Sequence, residues 1–590
     1  MEIRYLNAAT IHSAFLTACD FIISNRENLN AINLFPVADG DTGDNMSATA
    51  LSVIHHSSAK STLKDTLQSL ATSALLGARG NSGMIFSQFF NGLTETPLES
   101  EEINTTTFAQ LISKASQSVR SAILHPVEGT IITVIDAWSA SMNRLAQDFP
   151  CFKNLITQTL TEVNQALQNT TNSLPVLKEA HVVDAGALGF FHFISGFADY
   201  LANPREIDKN HHPLECTEPH HDLPSNGAPP DQRYCTEIML SGDNIDRITI
   251  AQQLEQYGDC VVSSGNTKLA RFHLHCNKPD VVFSSLLEAG TITQAKAQDM
   301  LRQFQMIHER KYPIALVTDS TADIPQALLD EYQIHIIQLN MHLDNHHLLD
   351  RICVDQNSFY DNLTTLKTYP TTSFPSPAIL EEQIGHLANH YEHVLILPIS
   401  QALSGTHDAI AKASQNFANV QVMNTRLTSG GLGFLLIHAA QMIAKGQGLE
   451  EVKSSLEAQI AKINTYVFVD KFDSLIRCGR ISKIGGKIAQ FAHLRPIIIL
   501  NEQGKAVIYD KAFSEAKGLS KIVGHVNEQR KDEPLAAYCI VHAGAPEKAA
   551  EFAQMTTEAF GQPPTFIEHA STAIGLHAGK GCLGLVTMLK

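Results

Sequence analysis

The sequence predicts a multidomain protein in which an all-α domain is followed by a small α/β domain and then by a larger α/β domain. A length of 590 residues corresponds to three or four domains at roughly 150 residues each. Apolar residues recur at helical spacing from residue 8 to about residue 201, whereas short strand-like runs alternate with helices from residue 233 onward. We therefore predict domains at residues 1–202, 233–311 and 312–590, with a linker at residues 203–232.

The first domain is predicted from amphipathic helical patterns, of which residues 107–124 and 155–167 are examples. The following stretch, residues 203–233, is rich in proline and has little apolar periodicity, which is typical of a linker or an exposed loop. Its paired histidines have two interpretations, a metal-binding tract or a solvated linker: His211, His212, His220 and His221.

The middle domain is predicted from three strands and a helix, at residues 237–240, 260–263, 270–275 and 248–257 respectively. Side chains alternate along a strand, so His273 and His275 point to the same face. Cys235 begins another predicted strand. Two imidazoles and a thiolate can bind Zn²⁺. The alternative is an ordinary half-buried strand face.

The C-terminal domain is predicted from apolar runs at residues 314–320, 393–399 and 537–541, which indicate buried strands of parallel sheets. Open α/β sheets bind ligands at the loops that follow such strands. Hydroxyl- and glycine-rich loops occur at residues 318–323, 371–376, 399–406 and 429–433, and they can bind a carboxylate or a phosphate. A serine nucleophile is disfavoured because residues 403–405 do not form a G-x-S-x-G elbow.

Composition and charge exclude several classes of function. Lys and Arg total 43 against 60 Asp and Glu, and the formal charge of −17 argues against a protein that coats nucleic acid or an anionic membrane. The start of the sequence lacks the features of a signal peptide, so we expect a cytoplasmic protein with reduced thiols. The uncharged segment between Arg426 and Lys445 carries polar residues and paired glycines, so we predict a buried helix and no integral membrane segment.

Two segments of the first domain point to chemistry. Asp39, Asp41 and Asp44 lie within six residues among glycines, where their carboxylates can converge on Mg²⁺. The alternative is a turn that caps the next helix through Thr42 or Asp44. A glycine-rich run at residues 77–83 opens another helix, whose N-terminal amides can bind a phosphate. The chain has no Walker A loop.

These two segments, followed by residues 128–134 and 184–189, resemble the nucleotide-binding domain of the dihydroxyacetone kinase L family, in the version found in bacterial fatty acid kinase. The resemblance covers about the first 200 residues. It implies an all-helical barrel that binds ATP and holds two Mg²⁺ ions on the catalytic acids Asp39 and Asp41. It also implies that a set of motif residues surrounds the metals and the nucleotide: Asn33, Thr42, Gly43, Asn45, Met46, Asn81, Ser82, Gly83, Thr130, Asp184 and Gly186.

The rest of the chain also carries resemblances. Residues 272–277 resemble the middle domain of fatty acid kinase. The polar loops of the last domain, with residues 477–482 and 575–579, resemble the DegV family of fatty-acid-binding proteins, the carrier partner of fatty acid kinase. This implies a two-lobed α/β domain with an apolar tunnel, and Arg480 facing the kinase. The residues implied for the fatty acid head group are Thr372, Ser373, Ser404, Gly405, Thr406 and His577.

Together these features predict a fatty acid kinase fused to its carrier. The γ-phosphate of ATP would pass to a fatty acid carboxylate and give an acyl phosphate for an acceptor enzyme of phospholipid synthesis. A carboxylate with a pKa of about 4 to 5 is already ionised, so no general base is needed. We expect a homodimer and no nucleic acid partner. The alternatives are a lipid-binding or transfer protein with an inactive kinase domain, and a small-polyol kinase.

Overall fold

The computed structural model describes residues 2–35, 40–98, 100–207, 229–363, 366–470, 474, 477, 495–531 and 533–590. The chain divides into two compact units. The first unit comprises Met1–Asn277 with Glu288–Leu301, and the second comprises Lys278–Leu287 with Arg302–Lys590. The predicted boundaries at residues 202, 232 and 311 stay predictions, and the paired histidines of the predicted linker lie outside the described residues.

Helices build the N-terminal part of the first unit, as predicted. They are α1 (Ala8–Ser24), α2 (Arg26–Ala31), α3 (Thr42–His56), α4 (Leu63–Gly77), α5 (Gly80–Leu93), α6 (Thr105–Ala122), α7 (Ile131–Leu145), α8 (Phe152–Ser173), α9 (Pro175–Ala180) and α10 (Ala185–Ala202). A short ladder joins β1 (Leu6–Asn7) to β2 (Glu102–Ile103). The barrel arrangement that the resemblance implies stays a prediction.

The helices begin where polar side chains can accept backbone amides. The side chains of Asn7, Thr62 and Asn104 cap α1, α4 and α6 in this way. The apolar faces of the helices then meet in an aromatic core. Trp138 of α7 is fully buried, with its ring 6.0 Å from that of Phe89 and 5.9 Å from that of Phe190.

The middle region forms one antiparallel sheet in the order β4-β5-β3-β6. Its elements are β3 (Tyr234–Ser241), α11 (Arg247–Leu254), β4 (Gly258–Gly265), β5 (Leu269–Cys276), α12 (Pro279–Leu286), β6 (Thr291–Asp299) and α13 (Met300–His308). Val262 of β4 belongs to the same hydrophobic core as the helices. The hydroxyls of Ser87 and Ser264 lie 2.5 Å apart, and Gly265 donates its amide to Gln88 at 2.8 Å. Buried polar contacts therefore fix β4 against α5.

The second unit contains a parallel sheet in the order β13-β12-β7-β8. This confirms the parallel pairing predicted for the runs at residues 314–320 and 393–399. The elements of this region are β7 (Ile314–Asp319), α14 (Gln326–Glu331), β8 (His335–Ile337), β9 (Asn340–Leu343), β10 (His346–Leu349), α15 (Gln356–Asn362), β11 (Thr371–Ser373), α16 (Pro377–His390), β12 (His393–Leu397), α17 (Thr406–Ala413) and β13 (Val420–Val422).

The six-stranded sheet of the second unit corrects the sequence prediction. Its order is β16-β15-β14-β19-β17-β18, and β17 pairs in parallel with β18 but antiparallel with β19. The prediction of parallel pairing for residues 537–541 was therefore wrong for one of the two neighbours, since a strand buried on both faces is apolar throughout in either arrangement. The strands are β14 (Ile463–Phe468), β15 (Arg495–Leu500), β16 (Ala506–Ala512), β17 (Leu535–His542), β18 (Ile567–His569) and β19 (Leu583–Leu589).

Helices complete the second unit. They are α18 (Ser429–Ala444), α19 (Leu449–Ile460), α20 (Glu515–Gln529), α21 (Pro546–Phe560) and α22 (Thr572–Ala578). Helix α18 confirms the buried helix predicted between Arg426 and Lys445, because most of its residues lie in the core. Among the described residues, no helix combines the length and the apolar character that are needed to cross a membrane.

Candidate functional site

The acid-rich loop leads directly into α3. Asp41 occupies the N-cap of α3, but its side chain makes no capping hydrogen bond. The Asp44 carboxylate accepts a hydrogen bond from Asn30 and lies 3.3 Å from the Nε of Arg26. Asp44 is thus paired with Asn30 and Arg26. The hydroxyl of Thr42, the other residue proposed as a helix cap, contacts Asn33 and Ser82. Asp39 lies outside the described residues.

A hydrogen-bonded chain links the acid-rich loop to the glycine-rich run. The Thr42 hydroxyl donates to Oδ1 of the buried Asn33, and it lies 3.3 Å from the Ser82 hydroxyl. Ser82 belongs to the first turn of α5, and Thr42 is the first residue of α3. Two motifs that are 40 residues apart in the sequence thus meet at the starts of two helices.

Asn45 and the glycines of these motifs make this meeting possible. A Cβ at Gly83 would lie 2.7 Å from the Asn45 carbonyl oxygen, and a Cβ at Gly80 would lie 2.3 Å from the Asn45 amide nitrogen. Gly80 also has a φ of +53°, which side chains disfavour. Gly43 lies against the Arg26 carbonyl, and the fully buried Met46 lies against Gly189. These predicted nucleotide residues therefore hold helices together beside the cavity described below.

The N-terminus of α5 already receives a negative charge from the protein. The Gly80 amide donates to Oε1 of Glu237 at 2.9 Å, so the first amide that we predicted for a phosphate is occupied. Burial alone would raise the pKa of Glu237, but the Arg271 guanidinium, 2.6 Å away, helps to hold it well below its usual range. The Glu237 carboxylate is thus anionic and ties β3 to α5.

A cavity of about 400 Å³ opens next to this point, a volume within the range of small-ligand sites. Five of the predicted nucleotide residues line it, namely Asn81, Ser82, Thr130, Asp184 and Gly186. The Oδ1 atom of Asn81 is buried and has no hydrogen-bond partner among the described residues. A buried acceptor without a partner is costly, so this wall of the cavity suits a polar ligand.

Asp184 joins two helix starts at the cavity. It is the N-cap of α10, where its carboxylate accepts the Ala187 amide at 2.7 Å, and the Ile131 amide at the start of α7 also acts to lower its pKa. Burial raises the pKa of Asp184 to about 7, although both amides oppose this shift. Thr130 is the N-cap of α7, and its hydroxyl donates to the Val127 carbonyl.

The middle region supplies one wall of the cavity that the sequence analysis missed, through Glu255 and residues 258–262, and the N-terminal region supplies the other further lining residues. The further lining residues are Phe35, Ile85, Ile123, Leu124, His125, Val127, Ile131, Glu255, Gly258, Asp259, Cys260, Val261 and Val262. At the rim, Nε2 of His125 lies 2.5 Å from Oε1 of Glu255. No motif marked residues 255–262, because their role depends on how β4 packs against the helices.

The structure brings the predicted zinc residues together. One ligand atom from each of Cys235, His273 and His275 lies within 4.8 Å of the others, and the Cys235 Sγ is 3.8 Å from the His273 Nδ1. The buried Nε2 of His273 has no hydrogen-bond partner among the described residues. Burial, together with the neighbouring His273, lowers the pKa of His275 to about 3, which keeps its imidazole neutral. A thiolate with two imidazoles fits a zinc ion.

In the second unit, three predicted head-group segments lie side by side. A Cβ at Gly405 would lie 3.4 Å from the Phe374 ring, so the turn before α17 touches the end of β11. Tyr369 precedes β11 in the sequence, and its hydroxyl donates to the Leu576 carbonyl in α22, next to His577. The remaining predicted residues occupy these segments, Thr372 and Ser373 on β11, Ser404 on the turn and Thr406 at the start of α17. Arg480 lies outside the described residues.

Buried carboxylates hold the loops around these segments, and the sequence analysis did not single them out. Asp319 accepts the amides of Thr321 and Ile399, Asp323 accepts from the Ser429 hydroxyl and the Ser571 amide, and Asp350 accepts from Ser320 and Thr572. Burial raises the pKa of all three, to about 7 for Asp323. Several hydroxyls predicted to bind a ligand thus bind internal carboxylates.

Three family models match consecutive parts of the chain. Family models match residues 36–199 as a DAK2 domain, residues 231–307 as a fatty acid kinase-like middle domain, and residues 313–590 as the uncharacterised DegV family. Protein YloV of Bacillus subtilis is 31% identical over 319 residues, which cover 52% of this chain and 58% of YloV. An uncharacterized protein of Staphylococcus saprophyticus is also 31% identical, over 327 residues and the same shares. The chain thus spans 58% of the length of these curated relatives.

The solved structures that resemble part of the chain include two DegV proteins. DegV of Bacillus subtilis, titled a fatty acid binding protein, is 27% identical with a TM-score of 0.44, and the match covers 47% of this chain and 100% of that one. A DegV family protein of Thermus thermophilus, titled for its fatty acid binding, is 26% identical with the same TM-score, and the match covers 47% and 99%. The family matches show that the chain combines a DAK2 domain, a middle domain like that of fatty acid kinase and a DegV-family domain in a single polypeptide.

Proposed function

We propose that this chain is a fatty acid kinase joined to its own carrier, which transfers the γ-phosphoryl group of ATP to the carboxylate of a bound fatty acid. The observation that carries the proposal is the co-occurrence in one chain of a DAK2 domain with a kinase-like middle domain and a DegV domain. The product would be an acyl phosphate for an acceptor enzyme of phospholipid synthesis.

The cavity of the first unit is the proposed ATP site. Its volume of about 400 Å³, the buried Oδ1 of Asn81 and the neighbouring hydroxyls of Ser82 and Thr130 support a polar ligand of this size. Asp39 and Asp41 would hold Mg²⁺, which when bound offsets the negative charge of the phosphates. The charge of Asp44, the third acid of this loop, is paired with Arg26, which supports this division of roles.

The DegV domain is the proposed carrier. Fatty acid binding is what the titles of the Bacillus subtilis and Thermus thermophilus DegV structures state, and we propose it for residues 313–590. Thr372, Ser404 and His577 would bind the carboxylate. Removing a chain of a dozen methylenes from water at roughly 0.8 kcal/mol each favours binding by on the order of 10 kcal/mol before ordering costs.

The proposed reaction needs no general base from the protein. The fatty acid carboxylate is ionised at neutral pH and attacks phosphorus directly, so its oxygen forms the new bond while the bond to the ADP oxygen breaks. The residues of the site therefore align the two reactants and exclude water, which would otherwise hydrolyse the acyl phosphate.

Trapping with hydroxylamine tests the proposal. The purified chain is incubated with Mg²⁺, ATP, hydroxylamine and oleate or palmitate, and the acyl hydroxamate is measured by mass spectrometry. We expect ATP-dependent hydroxamate from the wild type. Asp41→Asn should lower the rate by about 100-fold or more, because a lost metal ligand removes several kcal/mol of charge stabilisation.

Asp44→Asn is the matched control, since it removes a nearby carboxylate that pairs with Arg26. Because Asp44 is 9% exposed and also accepts a hydrogen bond from Asn30, the variant should lose about 1–3 kcal/mol of stability, and the folded protein should retain most of the activity. If the folded wild type binds fatty acid but forms no hydroxamate, the result would favour a lipid-binding protein with an inactive kinase domain. Turnover of dihydroxyacetone in place of fatty acid would favour a small-polyol kinase. Zinc at Cys235, His273 and His275, a homodimer and a cytoplasmic location stay predictions.

A further inference from the structure

A buried ion pair of the middle sheet reaches the connection between α4 and α5. Glu237 lies on β3 and is 3% exposed, and Arg271 lies on the neighbouring strand β5 and is 8% exposed. Arg271 is paired with Met239, two residues along β3 from Glu237, so the two charged side chains share a face of the sheet. One guanidinium nitrogen of Arg271 lies 2.6 Å from a carboxylate oxygen of Glu237.

Each partner of this pair binds one end of the α4–α5 connection. Helix α4 ends at Gly77 and α5 begins at Gly80. Arg271 donates to the Leu76 carbonyl at 3.3 Å, in the last turn of α4. Glu237 accepts the Gly80 amide at 2.9 Å, in the first turn of α5. A cation at the C-terminus of a helix and an anion at the N-terminus are both favourable, so the pair fixes the connection from the side of the sheet.

The connection leads directly into the wall of the cavity. Asn81 and Ser82 follow Gly80 and line the cavity, and the Oδ1 of Asn81 is buried. The orientation of the first turn of α5 therefore determines how these polar groups face a ligand. A displacement of about 1 Å in groups of this kind can cost a site about 100-fold in performance.

Stability alone does not explain a buried ion pair at this place. The cost of removing two charges from water offsets much of their attraction, and replacing such a pair by apolar residues is often neutral. Hydrogen bonds from a carboxylate and a guanidinium are strong and directional. Two apolar side chains could not bind an amide of one helix and a carbonyl of another, so the pair is suited to fixing a position.

We propose that Glu237 and Arg271 are positioning residues of the cavity, which hold the start of α5 so that Asn81 and Ser82 face a bound nucleotide. The middle sheet thereby sets the affinity of the cavity for nucleotide. This affinity half of the inference rests on the proposed ATP site. Neither Glu237 nor Arg271 is among the described residues that line the cavity, so both act through the α4–α5 connection.

Two double variants that differ in a single side chain test the proposal. Glu237→Met with Arg271→Met removes both charges and leaves the Gly80 amide without its acceptor. Glu237→Gln with Arg271→Met removes the same charges but returns an oxygen to that amide. Both variants also lose the carboxylate that lies 3.9 Å from His273, so their difference reports the contact with Gly80. Circular dichroism and urea unfolding followed by Trp138 fluorescence should show that both fold.

Nucleotide affinity is the first readout. In calorimetric titration with Mg²⁺ and a non-hydrolysable ATP analogue, the double methionine variant should bind about tenfold more weakly than the wild type. The glutamine variant should recover severalfold of this loss. In the hydroxamate assay the KM for ATP should rise in the same order while kcat changes by less than about twofold, because the positioned groups bind the ground state and the transition state alike.

Arg233→Met with Asp299→Met is the matched control. Arg233 directly precedes β3 and Asp299 ends β6, and their charged groups lie 2.6 Å apart. The control removes an ion pair of the middle region but keeps the carboxylate that binds Gly80. It should bind nucleotide like the wild type. A control that loses as much affinity as the double methionine variant would mean that any loosening of the sheet weakens the cavity, and it would overturn the proposal.

Hydrogen exchange in the ligand-free chain separates the positioning role from the ATP site. Amides of residues 78–83 should exchange severalfold faster in the double methionine variant than in the glutamine variant. Equal nucleotide affinity and equal exchange in the wild type and the double methionine variant would overturn the inference. A wild type that binds no nucleotide would contradict the ATP site and the affinity half, whereas the difference in exchange would still support the positioning of α5.

Discussion

Asp184 shows how one buried carboxyl can serve both structure and pH response. It caps α10, bridges to α7 and lines the cavity, and it is 5% exposed. Its pKa rises from 3.8 to about 7 on folding because burial disfavours its charge. The folded state therefore binds this proton more tightly than the unfolded state, so the stability that it contributes is present below about pH 4 and is lost as the pH rises through about 7.

Replacing Asp184 by Asn should remove this pH dependence. Asn keeps an oxygen that can accept the Ala187 amide, so the cap is retained while the titration is lost. Between pH 5 and pH 8 the wild type should lose on the order of 2 kcal/mol more stability than Asp184→Asn. Urea unfolding followed by Trp138 fluorescence measures this, since the chain has a single tryptophan and it lies in the helical core. Identical pH profiles would contradict the pKa assigned to Asp184.

At the scale of elements, the crossing of α3 and α5 decides where the two motifs meet. Thr42 and Ser82 come within hydrogen-bonding distance because Gly83 lets α5 approach the Asn45 carbonyl. Main-chain atoms cannot move aside as a flexible side chain can. The close approach of these two helices is therefore a condition for the geometry of the cavity.

Gly83→Ala tests the close approach. Helix propensity alone favours alanine by about 1 kcal/mol. A Cβ 2.7 Å from the Asn45 oxygen must push the helices apart, and overpacking costs about 1–3 kcal/mol. We expect a net loss of stability in the Trp138 unfolding curve and weaker nucleotide binding. Gly524→Ala on α20 is the control, because no atom lies within 4 Å of its added Cβ, and circular dichroism should report unchanged or slightly raised stability. A more stable Gly83→Ala would contradict the contact.

At the scale of the whole molecule, the two compact units should respond to different ligands. A ligand that binds only the folded state stabilises its unit by about 2.7 kcal/mol when its free concentration is 100 times its dissociation constant. Mg²⁺ with an ATP analogue should shift the unfolding of Trp138, which lies in the first unit. Oleate should leave that transition in place and slow hydrogen exchange in β11 and α22 of the second unit. If oleate instead shifted the unfolding transition of Trp138 and did not slow hydrogen exchange in β11, the lipid site would lie in the first unit, contrary to the proposal.

The sequence by itself determined the classes of the three regions and the order of their motifs. Apolar residues at helical spacing predicted α6 and α8, and a long segment without charged residues predicted α18. Runs of apolar residues predicted β7 and β12. These are local signals, because a helix or a strand shows its period within its own residues. The spacing of His273 and His275 also predicted a shared face, and Cys235 does lie beside them.

Tertiary structure decided what depends on neighbours distant in the chain. The pairing of β17 with β19 was not readable, because an apolar strand does not encode the direction of its partner. Glu237 reached the N-terminus of α5, and Asp259 and Cys260 reached the cavity, through the packing of β3 and β4 against the helices. The hydroxyls of Ser320 and Ser429 met buried carboxylates for the same reason. Motifs show which chemical groups a chain carries. Burial and long-range packing determine which of those groups face a ligand and which are hydrogen-bonded inside the protein.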